Sequence, residues 1–465
     1  MSKQTGRKKI IYWLLIVFTV IIGGGIGVVL NTVANMQQKL AGFIVEHPQE
    51  TAVVTYTFDE NGTIIEDGKA LFHNADEPLI VGSVMKTVVL AAFAEMVVNG
   101  ELDPNETVSV ADWERYYLPT SDGGAHQSGV KSVGLQADEL GFAVDQSATV
   151  TLDDLATMMM HYSGNASTDY LIERIGLERI TAASQTYLSH HTPISYKLGY
   201  ALATLNHEAP FSSEWLQQVL ANVESGDSGD IERLMALYLH DEAWRKAQIE
   251  FVTNLSSMEM VGSEVWEYQT AAAQLLPKGT AREYAQMMAQ IGSGQFISPQ
   301  VSAIMQQKLE TVPSDWPLRV LYYDRFGAKD GVTAGVLAAA SYAVPKRSSL
   351  QGQSRVAVLF VNGLPPEQFA QQLQFQGHYL LPIELVQGKG NFANLSSIAA
   401  NASKYSGDML FIASECNSFI GEAFQLEQMS LFPQAELAVI ADAGHEMFSE
   451  NPVESMSTVR TFFGQ

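Results

Sequence analysis

Strand-forming segments lie at both ends of this chain's middle portion, with a long helical stretch between them, and no other feature restricts the fold as much. VVTYTF (53–58) alternates and is β-branched, DENG (59–62) is turn sequence, and TIIEDGKALF resumes a strand, which together read as a hairpin. Strands return only with VLYYDRFGAKDG, TAGVLAAASYAV and SRVAVLFVNG, between residues 320 and 363, and a helix follows at PPEQFAQQLQF. Between these groups the pattern is helical. An apolar helix after Ser83 closes at Asn99-Gly100, and TLDDLATMMMHYS (151–163) opens on Thr151 as a cap. ASTDYLIERIG (166–176) is a second helix ending at glycine, and residues 210–315 are mostly helical. ERYYLPTSDGGAH (114–126) reads as an aromatic, glycine-rich loop, with His126 lining a cleft. Sheet edges from distant parts of the chain must therefore pair in space, which predicts an α+β domain.

With 465 residues the chain exceeds one average domain. The stretch GKGNFANLSSIAANASKYSG (388–407) has linker composition. Beyond it, GDMLFIASECN, GEAFQLEQMSLF, AELAVIADAGHEMF and PVESMSTVRTFF alternate strand and helix, the pattern of a parallel α/β sheet. Three units are expected: 1–45, 46–390 and 391–465. A formal charge of −24 argues against nucleic acid as a partner, since phosphate binding needs clustered Lys and Arg. Cys416 is the only cysteine, so there is no intrachain disulfide and no Cys2His2 zinc site.

At the amino end, Arg7, Lys8 and Lys9 precede IIYWLLIVFTVIIGGGIGVVL (10–30), an uncharged stretch about long enough to span a bilayer. Its basic flank places the amino terminus in the cytoplasm. The stretch is long for a signal peptide's apolar core and no A-x-A cleavage site follows, so an uncleaved anchor with an extracytoplasmic remainder is expected.

The fragment VGSVMKTVVLAAFAEM (81–96) sets Lys86 three positions after Ser83, at the mouth of a helix. Two further motifs stand downstream: SGN (163–165) at a junction of two helices, and KDG (329–331) on a strand. In order, spacing and context these resemble S-x-x-K, S-x-N and K-[ST]-G of the penicillin-recognising serine hydrolases, the class A β-lactamases and D,D-peptidase penicillin-binding proteins. The likeness extends over about residues 50–390, through VTLDDLATMMMHYSGNASTDYLIERIG and GAKDGVTAGVLAAASYAV.

The resemblance implies a β-lactamase/transpeptidase-like α+β fold, an antiparallel sheet with a large helical subdomain. It also implies acyl-enzyme chemistry at Ser83, with Lys86 as general base. A lysine amine with its usual pKa near ~10.4 is protonated, so the site must depress it by burial and by a second cation, which Lys329 would supply. Ser163 would relay a proton to the leaving group and Asn165 would orient Lys86 or the substrate amide. The backbone N–H groups of Ser83 and Val332, around Gly331, would form the oxyanion hole. No metal or organic cofactor is implied. Candidate substrates are a β-lactam, a peptidoglycan stem peptide or an ester.

Two departures bear on activity. Asp330 replaces the hydroxyl of K-[ST]-G, and an aspartate there would repel the carboxylate of a β-lactam or of a terminal D-alanine. The nearest counterpart of the class A E-x-x-L-N is LATLN (202–206), with Leu202 in the glutamate's place and Glu208 close by. Ser–Lys chemistry would then have to serve both half-reactions. Two alternatives stand beside the hydrolase reading: a class A β-lactamase with a displaced deacylation base, and a catalytically idle cell-wall-binding homologue. The tail resembles the end of an α/β-hydrolase, with His445 matching the triad base and Glu415 or Asn417 the acid. No G-x-S-x-G elbow occurs in the chain, so the tail reads as an appended fragment.

Overall fold

A computed structural model of the chain describes residues 39–65, 70–255, 263–310, 323–346, 353–374, 377–386, 407–416, 422–429, 434–443 and 447–464. The hydrophobic stretch 10–30 and the linker up to residue 406 lie outside these, as do Asn417 and His445. Among the described residues no helix is long and apolar enough to cross a membrane.

The main sheet joins the two ends of the domain, as the separated strand segments require. Strand β1 (Thr51–Phe58) pairs with the short β2 (Ile64–Ile65) and β3 (Leu71–His73) on one side. From the far end come β4 (Tyr323–Thr333), β5 (Val336–Pro345) and β6 (Ser354–Val361). The order is β2–β1–β6–β5–β4, antiparallel throughout, with Val53 opposite Leu359 and Gly331 opposite Ala338. The hairpin expected at the start is present, with its returning arm divided between β2 and β3.

Both faces of the sheet are covered, so alternate side chains enter two different cores. Val54, Val358 and Ala340 face the larger core, while Val53, Leu359 and Leu337 face the smaller. Helix α1 (Lys86–Val98) runs through the larger core and is buried on nearly every side, which explains an apolar run with no polar stripe. It follows a 3₁₀ turn, Gly82–Met85, and ends at Asn99 with Gly100 in the left-handed region. The smaller core is closed by helical residues 39–46 and by Gly377–Val386, through Leu40, Phe43, Leu381 and Leu385.

The helical subdomain supplies the other wall of the site. Helix α2 (Leu152–His161) starts with the expected cap: Thr151 accepts from Asp154 N, and the Asp154 carboxylate accepts from Thr151 N. Helix α3 (Asn165–Ile175) follows after Ser163 and Gly164, and stops at Gly176. Helix α4 (Lys197–Thr204) packs on a separate apolar cluster with Leu118, Leu234 and Tyr238.

Two loop expectations are corrected. Part of 114–126 is ordered as a 3₁₀ turn, Glu114–Tyr116, and Ala125–Ser132 is a helix. His126 lines no cleft. It is buried between Trp113 and Tyr117 and shares a proton with Glu114 across 3.0 Å. The tail is parallel as expected: β7 (Met409–Ser414) pairs with β8 (Ala435–Ile440), with Glu422–Met429 between them and Pro452–Phe462 after.

Candidate active site

Ser83 sits in the 3₁₀ turn rather than on the α-helix proper, and the first residue of α1 is Lys86. The strand bearing KDG lies directly against this turn. A Cβ on Gly331 would collide with the Val81 carbonyl oxygen and stand 2.6 Å from Ser83 N, so only hydrogen fits there. Gly82 is in the left-handed region at φ 51°, and a Cβ on it would lie 3.2 Å from the Gly331 carbonyl carbon and 3.4 Å from Val332 N. The two glycines let the backbone N–H groups of Ser83 and Val332 come together on one side of the serine.

Lys86 is fully buried. Its Nζ donates to Ser163 O at 2.5 Å, Ser163 Oγ at 3.2 Å and Asn165 Oδ1 at 2.9 Å. Lys329, 2 % exposed, points in from β4 and donates to the same Ser163 Oγ at 3.2 Å. Ser163 Oγ thus stands between two amines. The serine reaches that place because its backbone is left-handed at φ 65°, a costly conformation for a residue with a Cβ. The short bond from Lys86 to its carbonyl helps to hold that turn.

The electrostatics follow from burial and charge. Desolvation lowers the Lys86 pKa well below its ordinary value, and the nearby cations Lys329 and Lys197 lower it further. Asp122 and Asp169 oppose the shift without reversing it. Among the described hydrogen bonds, those of Lys86 run to Ser163 and Asn165; none joins Nζ to Ser83 Oγ.

Asp330 turns back on its neighbour. Lys329 Nζ donates to its carbonyl at 2.9 Å and pairs with its carboxylate at 3.1 Å, while the side chain stays 38 % exposed. The aspartate therefore offsets part of the Lys329 charge at the mouth of the site. Val332 is exposed beside it.

The structure thus brings Ser83, Lys86, Ser163, Asn165, Lys329, Asp330, Gly331 and Val332 together. It does not bring Leu202, which is wholly buried in the cluster with Leu118 and Tyr238. The residue of this segment whose charge acts on Lys86 is Lys197, five positions earlier, and its backbone N–H is held by buried Asp169 from α3. Both were missed in the sequence. The spacing of Asn165 and Asp169, four apart on one helix, was visible, but nothing in it pointed to the start of α4. Among the described residues no group of three or more His, Cys, Asp and Glu side chains could hold a metal ion.

Residues 35–332 match the model of the β-lactamase enzyme family. Similar solved structures include a mutant of PBP-A as an acyl-enzyme complex with penicillin G, at 14% identity over 76% of this chain and 97% of that one, with a TM-score of 0.41. A β-lactamase from Sphaerobacter thermophilus DSM 20745 is 15% identical over 77% and 97% of the two chains, with a TM-score of 0.39. A variant of the class A β-lactamase of the last common ancestor of Gram-negative bacteria is 12% identical over 74% and 96%, with a TM-score of 0.41. No curated protein matches the chain. With the family model spanning more than half of its length, from the end of the hydrophobic stretch through the K-D-G strand, the chain belongs to the β-lactamase enzyme family.

Proposed function

We propose that the chain is a membrane-anchored serine hydrolase, with its catalytic domain outside the cytoplasm, that works through an acyl-enzyme on Ser83. One observation carries the reading: Lys86 is sealed from water, next to a second cation, with Ser163 Oγ shared between the two amines. A lysine in that setting loses its proton far more readily than one in solvent, and a neutral amine one turn from a serine is a base. Ser83 Oγ attacks the carbonyl carbon of an ester or amide while its proton passes to Lys86 Nζ. The carbonyl oxygen becomes an oxyanion and is met by the N–H groups of Ser83 and Val332. Collapse expels the leaving group, which takes the proton from Lys86 by way of Ser163 Oγ.

The substrate we infer is an ester or amide without a free carboxylate beside the scissile bond, because Asp330 partly neutralises Lys329 and adds negative charge where such a carboxylate would dock. The anchor rests on the uncharged stretch 10–30 and its basic flank.

A fluorophosphonate and a fluorescent penicillin, applied to the full-length chain in detergent, test the mechanism. Covalent label from the fluorophosphonate that disappears in Ser83→Ala is the expected result, with weaker label from penicillin. No label from either reagent on folded protein would leave an idle binding protein as the better reading, and sustained nitrocefin turnover would favour a β-lactamase.

A further inference from the structure

The start of α4 is fixed at two points on either side of the cleft. Asp169, buried on α3 one turn beyond Asn165, accepts hydrogen bonds from Lys197 N and Leu198 N at 2.7 Å each. Tyr200, one turn further along α4, shares a proton with Thr333 Oγ1 across 3.3 Å. Thr333 directly follows Val332, whose N–H flanks Ser83. The first turn of α4 therefore bridges the helix that holds Lys86 and the strand that carries the oxyanion donor.

Lys197 stands at the head of this turn. Its side chain is 5 % exposed, yet among the described residues its Nζ makes no hydrogen bond and no ion pair within 4 Å. Even the Asp169 carboxylate is engaged with the backbone rather than with the amine. The stem is buried while Nζ keeps a small solvent-accessible surface, so the unpartnered tip is open to a water or a ligand. Burial takes its pKa down to about 8, against the pull of Asp169 and with help from Lys329. The charged and titratable groups that face it are Asp169 on α3, Lys86 on α1, Lys329 on β4 and His191 in the preceding loop.

We propose that Lys197 is a second catalytic amine, the base that activates water for hydrolysis of the Ser83 acyl-enzyme. The assignment rests on the acyl-enzyme reading above. Lys86 is committed to Ser163 and Asn165 on the α3 side, whereas Lys197, at the head of α4, has no such partner and carries a free lone pair when neutral. Water gives a proton to Lys197 Nζ as its oxygen bonds to the acyl carbon. The carbon–Oγ bond then breaks, the proton returns to Ser83 Oγ, and the acid product departs. A lysine here would make unnecessary the carboxylate missing at Leu202.

Two-phase kinetics with p-nitrophenyl acetate on the full-length chain separate the half-reactions. The burst of p-nitrophenol reads acylation, and the steady state reads deacylation. Lys197→Arg keeps the charge but cannot act as a base; Lys197→Met keeps the length without charge. Both variants are expected to retain a burst, which also reports a folded site; in the methionine variant its pH profile shifts upward, because the Lys197 charge no longer lowers the Lys86 pKa. Their steady-state rates should fall roughly 10²-fold or more, the usual worth of a general base. Acetyl-Ser83 should accumulate by intact mass. An arginine variant that turns over within a few-fold of wild type would overturn the assignment, as would burst and steady state falling together. A wild type that bursts without turnover preserves the acyl-enzyme reading and removes the base. A wild type with no burst, or a burst surviving Ser83→Ala, removes both.

Discussion

At the scale of single residues, the site is a contest over protons among buried cations. Lys329 and Lys86 meet at one serine oxygen, so removing Lys329 must favour the charged form of Lys86. Lys329→Met is expected to raise the Lys86 pKa and shift the acylation rate profile to higher pH, read from the burst at a series of pH values. Asp330→Thr removes the carboxylate beside Lys329 and should raise the rate of penicillin labelling by about tenfold or more, consistent with a like-charge penalty of over ~1.4 kcal/mol. A labelling rate unchanged by this substitution would mean that Asp330 does not govern carboxylate binding. Asp169 differs from both, because burial raises its pKa to about 7 despite two backbone donors. The folded state then holds its proton where the unfolded state has lost it. Stability from this group is present at low pH and is lost between about pH 4 and pH 7. Asp169→Asn should flatten that part of the Tm-against-pH curve. It should also lower Tm overall, because one amide oxygen replaces two carboxylate acceptors for the start of α4.

At the scale of elements, the decisive contact is that of β4 with the Ser83 turn. Neither makes the proposed oxyanion hole alone. Gly331 has no positive φ, so its requirement is space rather than conformation: a methyl group would meet Val81 O and Ser83 N. Gly331→Ala is expected to force the strand from the turn and cut the acylation rate by about 10²-fold, the loss seen when one oxyanion donor is removed, with a much smaller change in Tm. If the rate holds, the two N–H groups are not the oxyanion donors. The element boundaries written into the sequence were those with local chemistry behind them. Thr151 with Asp154 starts α2, glycine ends α1 and α3, and alternating β-branched residues form β1 and β6. Helix 377–386 was not legible, since the apolar residues of HYLLPIELV follow no one-sided spacing and the stretch includes Pro382. The 3₁₀ form of the Ser83 turn was equally hidden, because no side-chain cap marks it and its close neighbour, β4, is remote in sequence.

At the scale of the whole molecule, the sheet is closed by segments some 300 residues apart, β1 against β6, and the helical subdomain is the excursion between them. The tail strands pair with each other, in parallel, and the β1–β6 sheet does not include them. Ending the chain after residue 390 is therefore expected to leave Ser83 labelling by a fluorophosphonate unchanged, and loss of labelling would assign the tail a part in the site. The sequence alone determined that strands from both ends must share a sheet, because their alternation needs partners that the helical middle lacks. Through their resemblance to S-x-x-K, S-x-N and K-[ST]-G, it also marked Ser83, Lys86, Ser163, Asn165 and Lys329 as candidates. Only the tertiary structure decided that Leu202 belongs to the core and that the start of α4, headed by Lys197, is held against the helix that carries Asn165. A side chain's burial and charge depend on what remote segments pack against it, and the backbone of α4 is aimed by Asp169, a residue of another helix.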